Sequence, residues 1–253
     1  MTAHEHHRGR KMQLASKADG FILDAYHVAP DDARQGGLVV VQEIFGVTEH
    51  IREVCDRFAA DGYEVIAPNF YDRLEPNFAA SYAPEDVATG AKYSQATPWD
   101  QVQGDLQAAI DVLAEHGPVH VTGFCWGGTA AWLAACRCEG VASASCFYGR
   151  RIPELLTETP KCPTILHFGK TDASIPMSVV EEIGAAHPDI PIYLYDAGHG
   201  FTGGHTYAQP HNNGTRSGAF SGFGRNGSTG SFSSRGRASF GGGGFHGGGG
   251  GRR

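Results

Sequence analysis

From residue 37 onward the chain alternates short apolar runs with stretches of helical period. Gly37-Leu38-Val39-Val40-Val41 is a continuous, β-branched run of the kind buried on both faces of a sheet. Between Glu49 and Ala60 the apolar residues fall at 51, 54, 55, 58 and 59, which is one stripe of a helix, and Gly62 stops it. Tyr63–Ala67 predicts a second strand, ended by Pro68. Residues 70–97 show neither period and read as irregular. Val102, Leu106, Ala109, Ile110 and Leu113 mark another amphipathic helix, broken at Gly117-Pro118 and followed by a strand at 119–122. A helix from about 127, strands near 142–147 and 163–168, a helix near 178–186 and a strand at 191–195 complete the series. This alternation predicts right-handed βαβ units: an α/β fold with a mainly parallel sheet flanked by helices. In such sheets function sits on loops at the carboxyl ends of the strands.

Composition divides the chain in two. The 253 residues carry a net charge of −7 at pH 7, but all 27 acids and 14 of the 20 basic residues lie in 1–202. Residues 203–253 hold six arginines, no acid and 18 of the 36 glycines. The expected organisation is a flexible N-terminus (1–11), an α/β body (12–202) and a disordered Gly/Ser/Arg-rich tail (203–253), because such a tail has too little apolar surface to offset its ordering entropy. No apolar run approaches the length of a membrane span, and no apolar segment follows the N-terminus as in a secretory signal. The six cysteines (55, 125, 136, 138, 146, 162) form no Cys-x-x-Cys pair, so reduced thiols in the cytoplasm are expected, with no metal and no organic cofactor.

Directly after the strand at 119–122 comes Gly123-Phe124-Cys125-Trp126-Gly127-Gly128, leading into a helix. This is a Gly-x-nucleophile-x-Gly elbow with cysteine as nucleophile, in the strand–turn–helix setting that the motif requires. A turn sharp enough to lift one side chain above the sheet brings strand and helix into near contact, and glycines relieve the crowding. The helix N-terminus favours thiolate at Cys125, and the Trp126 N–H points to where a substrate oxyanion forms. The other thiols read as small buried hydrophobes.

A nucleophilic thiol needs a base, and the base an orienting group. Asp172 lies one short loop past the strand at 163–168, and His199, in Gly198-His199-Gly200, one short loop past the strand at 191–195. The order nucleophile, acid, histidine is that of hydrolases built on this elbow. Gln42-Glu43-Ile44-Phe45-Gly46 ends the first buried strand. Glu43 reads either as a solvated loop acid or as a group that holds or takes the thiol proton, with the Ile44 N–H as second oxyanion donor.

With Val41-Gln42-Glu43-Ile44-Phe45-Gly46-Val47, the Cys125 elbow, Asp172 and Gly198-His199-Gly200-Phe201 in place, residues 12–201 resemble the dienelactone hydrolase (carboxymethylenebutenolidase) family of α/β-hydrolases. The resemblance implies an α/β-hydrolase fold and cleavage of small lactones or carboxylic esters through a cysteine acyl-enzyme. It also implies Cys125 as nucleophile, His199 as base, Asp172 as its orienter and Glu43 as the acid that governs the thiol. A monomer acting on a small molecule is expected. Members acting on dienelactone bind its carboxylate with arginines; here residues 81–97 hold only Lys92 as a cation and 202–207 no arginine, so dienelactone itself is not the expected substrate. The family also continues past the histidine into a last helix, which the Gly-rich tail replaces. Three readings of the tail stay open: a passive extension, an RGG-like segment that contacts nucleic acid, and a misjoined end. The rival reading of the whole is therefore a catalytically impaired hydrolase-fold protein whose basic tail binds nucleic acid.

Overall fold

In the computed structural model, which describes residues 8–202, eight strands form one sheet. In chain order they are β1 (Arg10–Ala15), β2 (Ile22–Val28), β3 (Gly36–Val41), β4 (Tyr63–Pro68), β5 (Val119–Phe124), β6 (Val141–Phe147), β7 (Thr164–Gly169) and β8 (Ile192–Tyr195). The spatial order is β1-β2-β4-β3-β5-β6-β7-β8. β1 and β2 run antiparallel to each other and β2 to β4, and every other pairing is parallel. The helices are α1 (Glu49–Ala60), α2 (Pro84–Ala96), α3 (Trp99–Ala114), α4 (Trp126–Arg137) and α5 (Met177–Ala186). The expected tail, 203–253, and residues 1–7 of the expected flexible N-terminus lie outside the described residues.

The all-apolar β3 is buried at every position, as a strand covered on both faces must be. From β3 the chain crosses through α1 to β4 on one side, and later through α3 to β5 on the other. Right-handed crossovers in opposite directions put α1 and α3 on opposite faces of the sheet. They also open a crevice between the carboxyl ends of β3 and β5, the place where such sheets bind ligands. Glu43 and Cys125 follow those two strands.

Three expectations need correction. β1 begins at Arg10, so residues 10 and 11 belong to the sheet and not to a flexible end; Gly9 N–H also donates to the Tyr26 hydroxyl at 2.7 Å. The β1–β2 hairpin has no counterpart in the expected series. Residues 84–96, read as irregular, form α2. That helix buries only Gly90 and Ser94, so it has no apolar stripe for periodicity to detect. It seats by close approach instead: a Cβ on Gly90 would lie 2.3 Å from the Ile44 carbonyl oxygen.

Towards β8 the sheet is less covered, with Val141, Ser143, Ser145 and Phe147 half-buried and Tyr193 43% exposed. The side chains there are largely polar and aromatic. His120 Nδ1 lies 2.8 Å from Ser143 Oγ, and His167 bridges Ser145 (3.1 Å) and Tyr195 (2.8 Å).

A buried ion cluster ties the hairpin to the helical layer. Asp105, fully buried in α3, accepts two hydrogen bonds from Arg73 (2.7 and 3.0 Å), and the same guanidinium reaches Asp19 in the β1–β2 turn at 2.8 Å. Burial pushes the Asp105 carboxyl up, and Arg73 offsets that push. Removing the cation leaves a desolvated carboxyl unpaired. Arg73→Ala is expected to lower the unfolding free energy by about 3 kcal/mol in urea titrations. Arg73→Ala with Asp105→Leu should recover part of that loss, and a double variant as unstable as the single one would show that the pair does not set stability.

Candidate active site

Four side chains reach the crevice from the carboxyl edge of the sheet: Glu43 past β3, Cys125 at the end of β5, Asp172 past β7 and His199 past β8. Cys125 has φ 58° and ψ −117°, a conformation that L residues avoid. Its N–H donates to the Phe147 carbonyl at 3.1 Å, and its carbonyl accepts from Gly128 N–H at 2.9 Å. The bend holds because nothing else fits between strand and helix. A Cβ on Gly123 would stand 2.0 Å from the Gly127 carbonyl oxygen, and one on Gly127 would stand 2.3 Å from that of Gln42. Cys125 is half-buried, whereas Cys55, Cys136, Cys138 and Cys146 are buried. Burial pushes those four thiols and Cys162 up, Cys136 and Cys138 to about 12.

His199 Nδ1 lies 2.6 Å from Asp172 Oδ2. Asp172 is buried, which by itself raises a carboxyl. The His199 contact and hydrogen bonds from Ser174 Oγ (2.6 Å) and Ser174 N–H (2.8 Å) reverse the effect and hold it below its ordinary range, and Ile175 N–H also donates to it at 3.2 Å. Burial works against a charged imidazole at His199, but hydrogen bonds with Asp172 and with the Cys125 sulfur, together with their charges, raise it to about 10. The imidazolium is thus the favoured form at neutral pH, bracketed by a carboxylate and a sulfur. Glu43 is almost fully buried, and burial pushes its carboxyl up to about 7; the charge on His199 and the Tyr82 hydroxyl, 3.5 Å away, pull the other way. The four residues therefore form one electrostatic group, and Glu43 is not a solvated loop acid.

A cavity of about 690 Å³ opens onto this group. Cys125, Asp172 and His199 line it, as do Ile44 and Trp126, whose amides are the expected oxyanion donors. α2 supplies part of the wall through Val87, Ala91, Ser94 and Gln95, and the loop after β6 supplies Arg150, Arg151 and Glu154. Among the described residues there is no group of three or more His, Cys, Asp or Glu able to hold a metal ion, and no helix is long and apolar enough to cross a membrane.

Two further residues support the group and carry no motif in the sequence. Ser174 Oγ donates to Asp172 and stands 3.1 Å from His199 Nδ1, so it touches both. Tyr148, fully buried at φ 39°, lays its ring against His199 with centroids 4.9 Å apart, and its hydroxyl is hydrogen-bonded to Thr202. Phe201 packs against Tyr148 and Tyr195. The loop carrying His199 is therefore anchored through residues on both of its sides.

Residues 23–215 match a family model described as the dienelactone hydrolase family, a span that runs past the expected body boundary at 202. A "Putative carboxymethylenebutenolidase" of Synechocystis sp. is 39% identical over 164 residues, 59% of this chain and 66% of that protein. The carboxymethylenebutenolidase of Pseudomonas putida is 32% identical over 195 residues, 72% of this chain and 82% of the relative. Among solved structures, a "Putative Dienelactone Hydrolase" from Klebsiella pneumoniae superposes with a TM-score of 0.65 at 30% identity, over 77% of this chain and 88% of that one.

The position of Glu43 has a consequence for stability. An unfolded glutamate titrates near 4.5 and the buried one near 7, so between those values the folded chain holds a proton that the unfolded chain has lost. Stability then falls as pH rises through that window. Glu43→Gln should raise the urea midpoint relative to the parent protein at pH 8 and leave it unchanged at pH 4. An equal midpoint at pH 8 means that the carboxyl is hydrated.

Proposed function

Because this chain belongs to the dienelactone hydrolase family and has its α/β-hydrolase fold, we propose that it hydrolyses small lactones or carboxylic esters through a cysteine acyl-enzyme. The observation that carries this reading is the geometry of one pair. A cysteine forced to φ 58° at a helix N-terminus lines one cavity with a histidine whose Nδ1 is fixed 2.6 Å from a buried carboxylate, and the sulfur helps that carboxylate to hold the ring charged.

The roles follow from charge. Cys125 Sγ attacks the ester carbonyl carbon, and the carbonyl oxygen becomes an oxyanion that the Ile44 and Trp126 amides receive. The His199 imidazolium gives its Nε2 proton to the departing alkoxide oxygen, leaving a thioester at Cys125 and a neutral imidazole. In a lactone that alkoxide stays tethered to the acyl group. Water then adds to the thioester and loses its proton to His199, and the acid departs as sulfur regains its electron pair. Asp172 holds the ring in one tautomer and offsets its charge through both half-reactions. Glu43 adds a negative charge, or a proton, to the same buried group. When protonated it adds no charge beside Cys125 and the His199 imidazolium, and when ionised it adds a negative one.

Cys125→Ala is expected to lose nearly all turnover of p-nitrophenyl acetate and the rapid iodoacetamide labelling of one thiol, since four of the other thiols are buried and partial burial pushes the fifth, Cys162, up. Steady-state assay and peptide mapping of the alkylated protein measure both. Unchanged turnover in the variant overturns the nucleophile assignment.

A further inference from the structure

The cavity holds more charge than the hydrolytic group uses. The loop after β6 brings two guanidiniums and one carboxylate to its wall: Arg150, Arg151 and Glu154. Arg151 is engaged within the protein. Its Nε and Nη2 donate to Glu154 at 2.7 and 2.8 Å, its Nη1 donates to the Ser94 carbonyl of α2 at 3.0 Å, and its guanidinium lies 4.6 Å from the centre of the Trp99 ring. Hydrogen bonds from Arg151 hold the Glu154 carboxyl below its usual range. That pair is neutral and pins the loop to α2. Asp172 and His199 offset each other in the same way.

Arg150 differs from both pairs. It is exposed, it lines the same cavity as Cys125, and no ion pair or hydrogen bond joins its guanidinium to another described residue. It therefore adds one uncompensated positive charge to the wall. The surrounding body is acidic, with 27 acids against 14 basic residues in 1–202. Such a body repels small anions in general, so a local cation decides whether one is admitted. A guanidinium matches a carboxylate well, because its parallel N–H groups meet both oxygens. The cavity volume, within the ~300–1,000 Å³ of small-molecule sites, leaves room for such a group apart from the reacting carbonyl.

We propose that Arg150 is a substrate-selecting residue, which pairs with a carboxylate on the acyl part of the ester and makes the cavity prefer anionic esters to neutral ones of the same length. The inference rests on the hydrolase reading for the reaction, and on the β6 loop alone for the selectivity.

Two esters of equal chain length test it: mono-p-nitrophenyl adipate, which carries a carboxylate, and p-nitrophenyl hexanoate, which does not. The parent protein should favour adipate in kcat/KM. Arg150→Gln should lower kcat/KM for adipate about tenfold, through KM, and change hexanoate by less than about twofold; Arg150→Lys should restore part of the loss. Equal losses on both esters, or no loss on either, overturn the proposal. Hexanoate turnover separates the two readings. If the parent protein cleaves neither ester, the hydrolase reading fails, and binding of adipate itself, followed by tryptophan fluorescence with hexane-1,6-diol as neutral control, decides the anion site. Binding lost in Arg150→Gln supports it, and binding absent or unchanged overturns it.

Discussion

The bend at Cys125 is the constraint on which the rest of the site depends. Backbone strain of this kind costs on the order of 1–3 kcal/mol and persists only where the surroundings over-determine it. Here they do so from three sides. The β6 end supplies the Phe147 carbonyl to the Cys125 N–H, the first turn of α4 closes on the Cys125 carbonyl, and β3 lies so near that only glycine fits at 127. The central parallel strands thus act together as a clamp on one residue. Its product is a sulfur raised above the sheet, at a helix start, facing the ends of β3 and β8.

Once the sulfur is fixed, the electrostatics follow from burial. Three ionisable side chains are packed around it in a space where water screens little, so none titrates as it does in solution. Asp172 is held charged by four hydrogen bonds, and its charge helps to hold His199 charged. The imidazolium in turn limits how far burial raises Glu43. The chain of influence runs from the backbone turn around Ser174, through the carboxylate and the ring, to a carboxyl that titrates near neutrality. A change in any member is felt by the others, and pH profiles of such a group belong to the group rather than to one residue.

Much of this was legible in the sequence, and the reason is geometric. The central strands are continuous apolar runs, and α1 and α3 carry clear stripes, so the βαβ series could be read and the strand ends located. Cys125, Asp172, His199 and Glu43 lie within a few residues of those ends, so reading the strands led directly to them. The elements that escaped have no periodic signal. α2 seats itself on Gly90 and Ser94 rather than on an apolar face, and the β1–β2 hairpin is held partly by the Arg73 cluster, whose members lie at 19, 73 and 105. Ser174 and Tyr148 matter through contacts across 25 and 51 residues of chain, which no local pattern announces.

That asymmetry has a physical origin that bears on how such a fold changes its substrates. Cys125, His199, Asp172 and Glu43 are carried by strand ends, where a shift of one residue would break sheet register and the elbow together. The walls of the cavity are carried by α2 and by the loop after β6, where side chains face open space and the backbone is fixed by a few polar contacts, chief among them Arg151 with Glu154 and Ser94. A substitution on the walls changes the lining of the cavity at little cost to the fold, because it disturbs neither the clamp on Cys125 nor the buried charges behind it. Arg150 illustrates the point: its charge stands on the wall of the cavity that Cys125 also lines, and its side chain is exposed. The four clustered side chains and the cavity walls are thus held by different parts of the chain, the first by the buried sheet and the second by the surface laid over its edge.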